Sequence, residues 1–431
     1  MILDNVNSTS NPLPNENSNA VQPKIVGANT SKVNNSLPAP TDQLQKSFCI
    51  RPWSHTQINS NGDFVLCCNS QYNTHYNINT HSLKDYWDSP FLDKIRSKML
   101  SGQLPSACAQ CKRDEQIGDA SLRQRSNFEL NVDFENIEDT LDKIYSQRDL
   151  PTDINSVTSN LCNLKCLMCS GDYSSSLLVE NTALKLETFD QKNYNSKPHA
   201  IAQLKAWLDT KPKILTCAGG EPLMEPQVRE LLEYGVNNNL LQDTLIRIPT
   251  NGTKINQDWL EFLSRIPKLQ IMFSVDGIGP VNDYIRFGSN WDELARAAVA
   301  LKNLKNVELL INTTLQNLNV LDMANVITWT LEHDIFFNLK ILENPSQLQY
   351  FNLPTPLLEL ARERMQIHAK FKNYFTSGDS LLEMIDFAIQ QPPDINQWNH
   401  FVDYISIKDA HRKNSILNII PELEPYWTDV H

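Results

Sequence analysis

Three cysteines lie close together in one short stretch of this chain. Cys162, Cys166 and Cys169 follow the spacing C-x3-C-x2-C. An iron–sulfur cubane normally takes four protein thiolates, one for each iron, so a group of three leaves one iron open to a small ligand. A structural zinc ion would need a fourth ligand, and no His or further Cys lies between residues 171 and 198. A redox dithiol would need only Cys166 and Cys169 and would leave Cys162 unexplained.

Three further motifs follow the cysteines, each directly after a predicted strand. They are Ala218-Gly-Gly-Glu-Pro222, Thr250-Asn-Gly252 and Ser274-Val-Asp-Gly277. With these motifs the chain resembles the radical S-adenosylmethionine (SAM) superfamily, whose cluster motif is C-x3-C-x-φ-C with an apolar residue at φ, here Met168. The resemblance covers residues 151–345.

The resemblance implies a cofactor and a reaction. Cys162, Cys166 and Cys169 would hold a 4Fe-4S cluster, and SAM would chelate the open iron through its amino and carboxylate groups. One electron would then cleave SAM reductively to a 5′-deoxyadenosyl radical, which would abstract hydrogen from the substrate. The cofactor carries out the difficult step, and the protein positions and shields it. The expected activity is that of a radical SAM oxidoreductase or modifying enzyme.

The resemblance also implies residues that contact SAM. The backbone at Gly219 and Gly220 can approach a ligand closely, Glu221 offers an acceptor for the amino group, and Ser274 and Asp276 are expected near the ribose. The whole set of candidates is Met168, Gly219, Gly220, Glu221, Pro222, Thr250, Asn251, Ser274, Asp276, Arg286, Asn312 and Thr314. The alternative is turn chemistry, because Asn-Gly and Asp-Gly are common turn dipeptides.

A second cysteine set precedes the first. Its members are Cys49, Cys67, Cys108 and Cys111. Four thiolates allow complete ligation of one metal centre, and paired cysteines at long separation are also typical of a zinc ribbon. The patterns Cys49-x3-Trp53 and Gly62-x4-Cys67 resemble the twitch half of the SPASM auxiliary domain of radical SAM enzymes. That resemblance implies a second iron–sulfur cluster, of the 4Fe-4S type, although the auxiliary domain usually follows the barrel and here precedes it.

Other reactive or charged residues have simpler interpretations. Cys68 adjoins Cys67 and is expected to be a buried spare, and Cys217 lies inside an apolar strand and is expected in the core. The basic stretch Lys112, Arg113, Arg123 and Arg125 is expected to form a solvated helix face.

Composition restricts the class of protein. The 431 residues carry a net charge of −12, which disfavours nucleic acid or an anionic membrane as a partner. We find no apolar run near the 18 residues that span a bilayer, and the N-terminus has neither a basic nor an apolar signal region. Nine cysteines in such a chain are expected to be metal ligands rather than disulfides. We therefore expect a soluble cytoplasmic protein.

Strand and helix patterns alternate through the middle of the chain. The predicted strands are Asn155–Ser159, Ile214–Ala218, Thr244–Thr250, Gln270–Val275, Glu308–Thr314 and Phe336–Leu342. Six strand–helix units predict an α/β fold, an incomplete (β/α)6 TIM-like barrel with a small N-terminal auxiliary-cluster domain and a helical C-terminal segment. The motifs follow the carboxyl ends of these strands, where barrel enzymes place their active sites.

The expected organisation has four parts. They are a disordered tail at 1–46, a twitch-type auxiliary iron–sulfur domain at 47–130, the radical SAM partial barrel at 151–345 and a helical region at 346–431. The tail is rich in Asn, Ser and Pro and cannot bury enough apolar surface to offset the entropy of ordering it.

The resemblance leaves the substrate open. We expect the auxiliary cluster to transfer electrons during oxidative modification of a peptide, with a flavodoxin or ferredoxin as electron donor. One alternative is modification of a nucleoside, sugar or other small metabolite. An alternative of another class is a metal-stabilised binding protein without catalysis.

Overall fold

The structure is a computed structural model. It describes residues 41–70, 74–116, 120–145, 149–188, 197–368 and 381–427. Residues 1–40 of the predicted tail lie outside the described residues. Within the described part, no helix is long and apolar enough to cross a membrane.

One sheet organises the chain. Its strands are β1 (His55–Ile58), β2 (Phe64–Val65), β3 (Asp153–Val157), β4 (Ile214–Ala218), β5 (Leu245–Thr250), β6 (Leu269–Ser274), β7 (Val307–Leu315) and β8 (Phe336–Ile341). The strand order is β2-β1-β3-β4-β5-β6-β7-β8. All neighbouring strands are parallel except β1 and β2, which form an antiparallel hairpin.

The helices fall into three groups along the chain. The N-terminal helices are α1 (Thr41–Ser47), α2 (Arg51–Ser54), α3 (Leu83–Trp87), α4 (Pro90–Leu100), α5 (Ala109–Gln116), α6 (Leu122–Glu129) and α7 (Ile137–Tyr145). Between the strands lie α8 (Ser175–Ala183), α9 (Pro198–Leu208), α10 (Pro226–Asn237), α11 (Gln257–Leu263), α12 (Pro280–Ile285), α13 (Trp291–Lys302) and α14 (Met323–Glu332). The C-terminal helices are α15 (Thr355–Met365), α16 (Leu381–Ile389) and α17 (Ile395–Arg412).

The fold class is α/β, as predicted, and all six predicted strands are present as β3–β8. The sheet nevertheless contains more than the six strands of the expected partial barrel. β1 pairs in parallel with β3, with Gln57 opposite Asn155, so the N-terminal hairpin extends the same sheet. Across the described residues the sheet is open, and no pairing joins β2 to β8.

The two faces of the sheet differ in burial. Side chains such as Leu215, Ile246, Ile248 and Ile271 are buried in the hydrophobic core. The alternate residues of the same strands are mostly partly exposed, because successive side chains of a strand point to opposite faces. We call this second surface the partly exposed face.

Two N-terminal features differ from the predictions. Folded structure begins by Thr41, since Leu44 of α1 is buried with 2% of its surface exposed, although residues up to 46 were expected to belong to the tail. Apolar residues recur at helical spacing from Leu83 to Leu100, and they lie on two helices, α3 and α4, rather than on one. Ser89 accepts a hydrogen bond from the Leu92 amide and caps α4 ahead of Pro90, which is the usual chemistry of a helix start.

The C-terminal segment is helical, as predicted, and packs into the main core. Trp398 and Phe401 of α17 are buried, and Tyr404 is partly buried and packs against the core. One continuous hydrophobic core contains residues from the N-terminal, middle and C-terminal segments. The sequence pattern predicts helices at Leu357–Phe371 and Ser380–Gln390, and both ranges extend into residues 369–380, which lie outside the described residues.

Candidate functional site

The three clustered cysteines lie in a loop that follows β3, residues 158–174, which we call the cluster loop. Leu164 is fully buried between Cys162 and Cys166 and anchors the loop. The amides of Lys165 and Leu167 donate hydrogen bonds to the carbonyls of Phe287 and Ile285, each at 2.9 Å. The loop is therefore tied to the end of α12, and Leu164 is an apolar anchor between the first two cysteines, Cys162 and Cys166.

The thiols of the cluster loop have a low intrinsic tendency to ionise. Burial raises the pKa of Cys162 and raises that of Cys166 to about 11, although the Arg286 charge opposes the shift at Cys166. Burial and the neighbouring Cys166 raise the pKa of Cys169 to about 12. Because a coordinating thiol is deprotonated by the metal it binds, these soft ligands suit a metal centre that supplies positive charge.

The two glycines of the Gly-Gly-Glu-Pro motif lie against the beginning of the cluster loop. A Cβ atom on Gly220 would lie 2.4 Å from the Leu161 carbonyl oxygen, and one on Gly219 would lie 2.8 Å from the Ser159 oxygen. The Gly220 amide donates to the Ser159 carbonyl at 2.9 Å. Glycine is needed here because backbone packs directly on backbone.

Glu221 joins the ends of β4 and β5. It is fully buried and accepts hydrogen bonds from Thr250 Oγ1 and the Asn251 amide, each at 2.7 Å, and from the Leu223 amide at 3.0 Å. Burial raises the pKa of Glu221, against the effect of these bonds. The sequence did not indicate this structural role, which leaves little acceptor capacity for a ligand.

Asn251 and Arg286 direct N–H groups at two of the thiols. Asn251 Nδ2 lies 3.7 Å from Cys162 Sγ, and Arg286 Nη1 lies 3.8 Å from Cys166 Sγ. Contacts of this kind stabilise negative charge on sulfur. Both residues therefore face the thiols directly.

A buried ion pair holds Arg286 in this position. Arg286 Nε lies 2.8 Å from Asp276 Oδ2, and Asp276 Oδ1 accepts the Thr314 amide at 2.8 Å. Burial alone would lower the pKa of Arg286, but Asp276 and the thiols of Cys166 and Cys169 raise it, so the guanidinium stays charged. Asp276, expected near a ribose, is fully buried and engaged by protein groups.

The remaining candidates lie at the same edge of the sheet. Ser274 pairs in register with Asn312, both are partly exposed, and Met168 packs beside the cysteines. Pro222 begins a short 3-10 helix after Glu221. The structure thus gathers the whole predicted SAM set at the carboxyl ends of β3–β7.

Four residues that sequence reasoning missed hold the cluster loop from outside. Tyr404 Oη donates to the Leu167 carbonyl at 2.8 Å, and Arg412 Nη2 donates to the Lys165 carbonyl at 2.7 Å. Glu180 of α8 pairs with Lys408 at 2.8 Å and with Arg412 at 2.7 Å. The only sequence signal was the placement of aromatic and basic residues on α17.

The second cysteine set also comes together. Burial raises the pKa of Cys49 to about 11 and of Cys67 to about 12, and it raises the pKa of Cys108 and Cys111. The Cys108 pKa is raised further by Cys49, Cys67 and Cys111, so the four thiols share one region. Cys68, expected to be a buried spare, is instead exposed, whereas Cys217 is buried as predicted.

Helix α6 holds the segment that carries Cys49. Arg123 Nη1 donates to the carbonyl of Phe48 at 2.8 Å, and Asn127 Nδ2 donates to the same carbonyl at 2.9 Å. Arg123 is 2% exposed and pairs with Glu115 at 2.8 Å. The expectation that Arg123 belongs to a solvated helix face is therefore wrong.

The two cysteine sets lie at opposite ends of the strands. Cys49 precedes α2, which runs directly into β1, and Cys67 follows β2 at the end where β1 begins. The cluster loop instead follows the carboxyl end of β3, which is parallel to β1. The sheet therefore separates the two sets by about the length of β3, five residues or roughly 16 Å.

Ligand geometry distinguishes a zinc ion from an iron–sulfur cluster. Among the residues that the structure describes, no group of three or more His, Cys, Asp or Glu side chains has the geometry to hold one metal ion. Zinc holds Cys sulfurs about 2.3 Å from one centre, whereas a 4Fe-4S cluster binds each thiolate at a different iron. Each cysteine set would hold a cluster if every thiolate bound a different iron.

Family models match both regions. Residues 156–328 match the Radical SAM superfamily, and residues 49–112 match the SPASM iron–sulfur cluster-binding domain. The chain carries a radical SAM domain and a SPASM domain. The SPASM domain precedes the radical SAM domain, as the order of the two cysteine sets predicted.

Individual relatives match only parts of the chain. It is 29% identical over 160 residues to the AdoMet-dependent heme synthase of Methanosarcina barkeri, a match that spans 37% of this chain and 41% of that protein. It is similar to the structure of Streptococcus suis SuiB bound to S-adenosylmethionine, with 16% identity, a TM-score of 0.39 and coverage of 64% of this chain and 63% of SuiB. Native anSMEcpe with bound AdoMet is 19% identical, with a TM-score of 0.37 and coverage of 51% and 62%. None of these matches assigns a substrate.

The two domains imply the cofactors. A radical SAM domain implies a 4Fe-4S cluster and SAM, and a SPASM domain implies further iron–sulfur clusters. The thiols present fit these cofactors. Three thiols lie in the cluster loop, which suits a cluster with one open iron, and four lie in the N-terminal region, which suits a fully ligated cluster. When bound, the cluster of the radical SAM domain supplies the electron that cleaves SAM. The residues of this chain would hold it through Cys162, Cys166 and Cys169.

Proposed function

We propose that this chain is a radical SAM enzyme that oxidatively modifies a peptide. The observation that carries the proposal is the placement of three thiols at one end of the strands and four at the other. Three thiols leave one iron open for SAM, and four complete the ligation of a cluster that only exchanges electrons. A two-electron oxidation would use both functions, because a hydrogen atom would be removed from the substrate at one site and an electron would leave at the other.

The residues around the cluster loop have distinct tasks in this proposal. Asn251 and Arg286 direct N–H groups at Cys162 and Cys166 and would moderate the negative charge of the cluster. Ser274, Asn312 and Thr314 offer amide and hydroxyl groups at the same edge of the sheet and would orient SAM. Glu221, engaged by Thr250 and Asn251, would set the position of the β5 end rather than bind the amino group alone.

The second cysteine set has the corresponding task at the other end. Cys49, Cys67, Cys108 and Cys111 would ligate a 4Fe-4S cluster completely, so the substrate could not bind to an iron directly. Such a centre would accept the electron that leaves the substrate after hydrogen removal. The electron that begins the reaction would come from a small donor protein such as flavodoxin or ferredoxin.

The open sheet supports a substrate as large as a peptide. β8 forms one edge of the sheet among the described residues, and its side chains Phe336 and Ile341 are 63% and 41% exposed. An exposed edge strand can pair with an extended peptide through backbone hydrogen bonds. A closed barrel would offer no such edge.

A small metabolite is the second candidate. The match to a protein named AdoMet-dependent heme synthase favours it, because that name describes a small product. A metal-stabilised binding protein without catalysis is the alternative of another class. That alternative does not explain why a site with three thiols lies next to Asn251 and Arg286.

Isotope transfer decides between the substrate classes. Candidate peptides and metabolites are deuterated at carbon and incubated anaerobically with the iron-loaded protein, SAM and a reductant. We expect deuterium from a peptide in 5′-deoxyadenosine. Transfer from a metabolite, with none from any peptide, would contradict the peptide proposal and support the second candidate.

A further inference from the structure

The partly exposed face of the sheet carries a continuous row of polar side chains. The row is Gln57, Asn155, Thr216, Arg247, Gln270 and Glu308, each residue opposite the next in the strand register. It crosses six neighbouring strands, and strands are spaced about 4.8 Å apart. We call these six residues the polar row.

An apolar row lies beside the polar row on the same face, nearer to the carboxyl ends of the strands. Two residues further along the strands are Val157, Ala218, Pro249, Met272 and Leu310. Two residues beyond these, the face becomes polar again at Asn251, Ser274 and Asn312, the edge that holds the SAM candidates. Arg247 and Asn251 are four residues apart, or about 13 Å along a strand, so a molecule of moderate size can reach both levels.

Arg247 is the one cation in the polar row. The Arg247 side chain makes no hydrogen bond or ion pair with any residue that the structure describes, and its Nε atom is buried without a partner. Asn155 Oδ1 in the same row is also buried without a partner. Because buried polar atoms are normally paired, two such atoms on one face indicate a ligand.

Charges near Arg247 restrict the ligand. Asp153 pairs with His55 at 2.7 Å. Burial raises the pKa of Asp153, but His55, then the Arg51 charge and then the Arg247 charge lower it, and the net shift is downward. Glu308 lies two strands away in the polar row. These carboxylates would repel a phosphate dianion, whereas the planar guanidinium fork matches a singly charged carboxylate.

We propose that Arg247 and the polar row bind a carboxylate group of the substrate. The proposal rests on the proposed function, since it places the rest of the substrate along the apolar row toward the cluster loop. Arg247 would pair with the carboxylate, and Asn155 Oδ1 would accept a hydrogen bond from a donor on the same molecule. A peptide C-terminus and a small organic acid share this chemistry.

Calorimetric titration of the full iron-loaded protein with four probes tests the assignment. The probes are N-acetylphenylalanine, its neutral amide, 2-phenylethylphosphonate and the tripeptide acid acetyl-Ala-Ala-Phe. We expect the acids to bind at least about tenfold more tightly than the amide. If the tripeptide acid binds more tightly than N-acetylphenylalanine, the carboxylate belongs to a peptide. If it binds equally or more weakly, the carboxylate belongs to a small organic acid. Equal binding of acid and amide, or a preference for the phosphonate, would overturn the proposal.

Two variants complete the test. Arg247→Gln should weaken binding of N-acetylphenylalanine about tenfold, whereas Arg265→Gln, an exposed arginine bonded to Asn237, should leave it unchanged. If Arg247→Gln is unstable, Arg247→Lys replaces it. Arg247→Lys should weaken binding of N-acetylphenylalanine about threefold, because lysine keeps the positive charge but lacks the planar guanidinium group. Unchanged acid binding in the Arg247 variant would overturn the proposal.

The test separates failure of this inference from failure of the proposed function. The wild-type protein is assayed for 5′-deoxyadenosine formation without any probe. SAM cleavage without acid selectivity would reject the carboxylate site alone. Acid selectivity in a protein that does not cleave SAM would reject the proposed function and leave the carboxylate site standing.

Discussion

Arg412 donates a hydrogen bond at 2.7 Å to the backbone carbonyl of Lys165, 247 residues earlier in the chain. Tyr404 makes the equivalent bond to the Leu167 carbonyl. Both carbonyls belong to the segment that carries Cys162, Cys166 and Cys169. The last long helix of the chain therefore fixes the conformation of the loop in which the first cluster would be held.

The first prediction concerns Tyr404. Tyr404→Phe leaves the Leu167 carbonyl without its donor, which should lower the free energy of unfolding by about 1 kcal/mol and lower SAM cleavage several-fold. Tyr350→Phe is the matched control, because Tyr350 donates to the Met384 carbonyl at 3.2 Å, which lies outside the cluster loop. Equal losses of SAM cleavage in both variants would show that α17 does not act through the cluster loop.

The second prediction concerns Glu180. Lys408 is fully buried and pairs with Glu180. Glu180→Gln leaves this cation uncompensated and should lower the free energy of unfolding by about 3 kcal/mol near neutral pH. Glu230→Gln removes an exposed pair with Lys205 and should cost less than about 1 kcal/mol.

The contribution of Glu180 also depends on pH. Burial opposes ionisation, but hydrogen bonds and charges from Arg412 and Lys408 lower the pKa of Glu180 from 4.5 to about 2. A lowered carboxyl pKa stabilises the fold above the ordinary pKa, and that contribution is lost as the pH falls toward the folded value. The stability difference between wild type and Glu180→Gln should therefore narrow below about pH 4.5 in urea denaturation. A stability difference that stays constant as the pH falls would contradict the stabilising role of the Glu180 ion pairs.

The third prediction concerns Gly220. Gly220→Ala places a methyl group against the backbone of residues 160 and 161, which must move the cluster loop. About half of the iron should be lost on a two-cubane basis. Gly235→Ala is the control, since its methyl group meets only the Leu241 side chain, and it should keep all the iron. Full iron in Gly220→Ala would show that the turn is not coupled to the loop.

The fourth prediction separates adjacent cysteines. Cys67 is partly buried among the other thiols, whereas Cys68 is exposed and contacts Asn69. Cys67→Ser should lose the iron of the second cluster, about four atoms per chain for a cubane, and Cys68→Ser should lose none. Iron analysis under anaerobic conditions measures both. The reverse pattern would assign Cys68 as the ligand.

Much of the fold was accessible from the sequence because its signals are local. β3–β8 follow from short apolar runs, and the SAM candidates follow from motifs at the strand ends. The pairing of β1 with β3 was not predicted, because no local pattern specifies which edge a parallel strand joins. The roles of Arg123 and Arg412 were missed for the same reason: both act through contacts with carbonyls far away in the chain.

SAM cleavage by the triple variant Cys162→Ala, Cys166→Ala, Cys169→Ala tests the central claim most directly. The reduced, iron-loaded wild-type protein should convert SAM to 5′-deoxyadenosine, and the variant should form none. On a two-cubane basis wild type should carry about eight irons and the variant about four. Undiminished 5′-deoxyadenosine formation by the variant would contradict the assignment of these three cysteines.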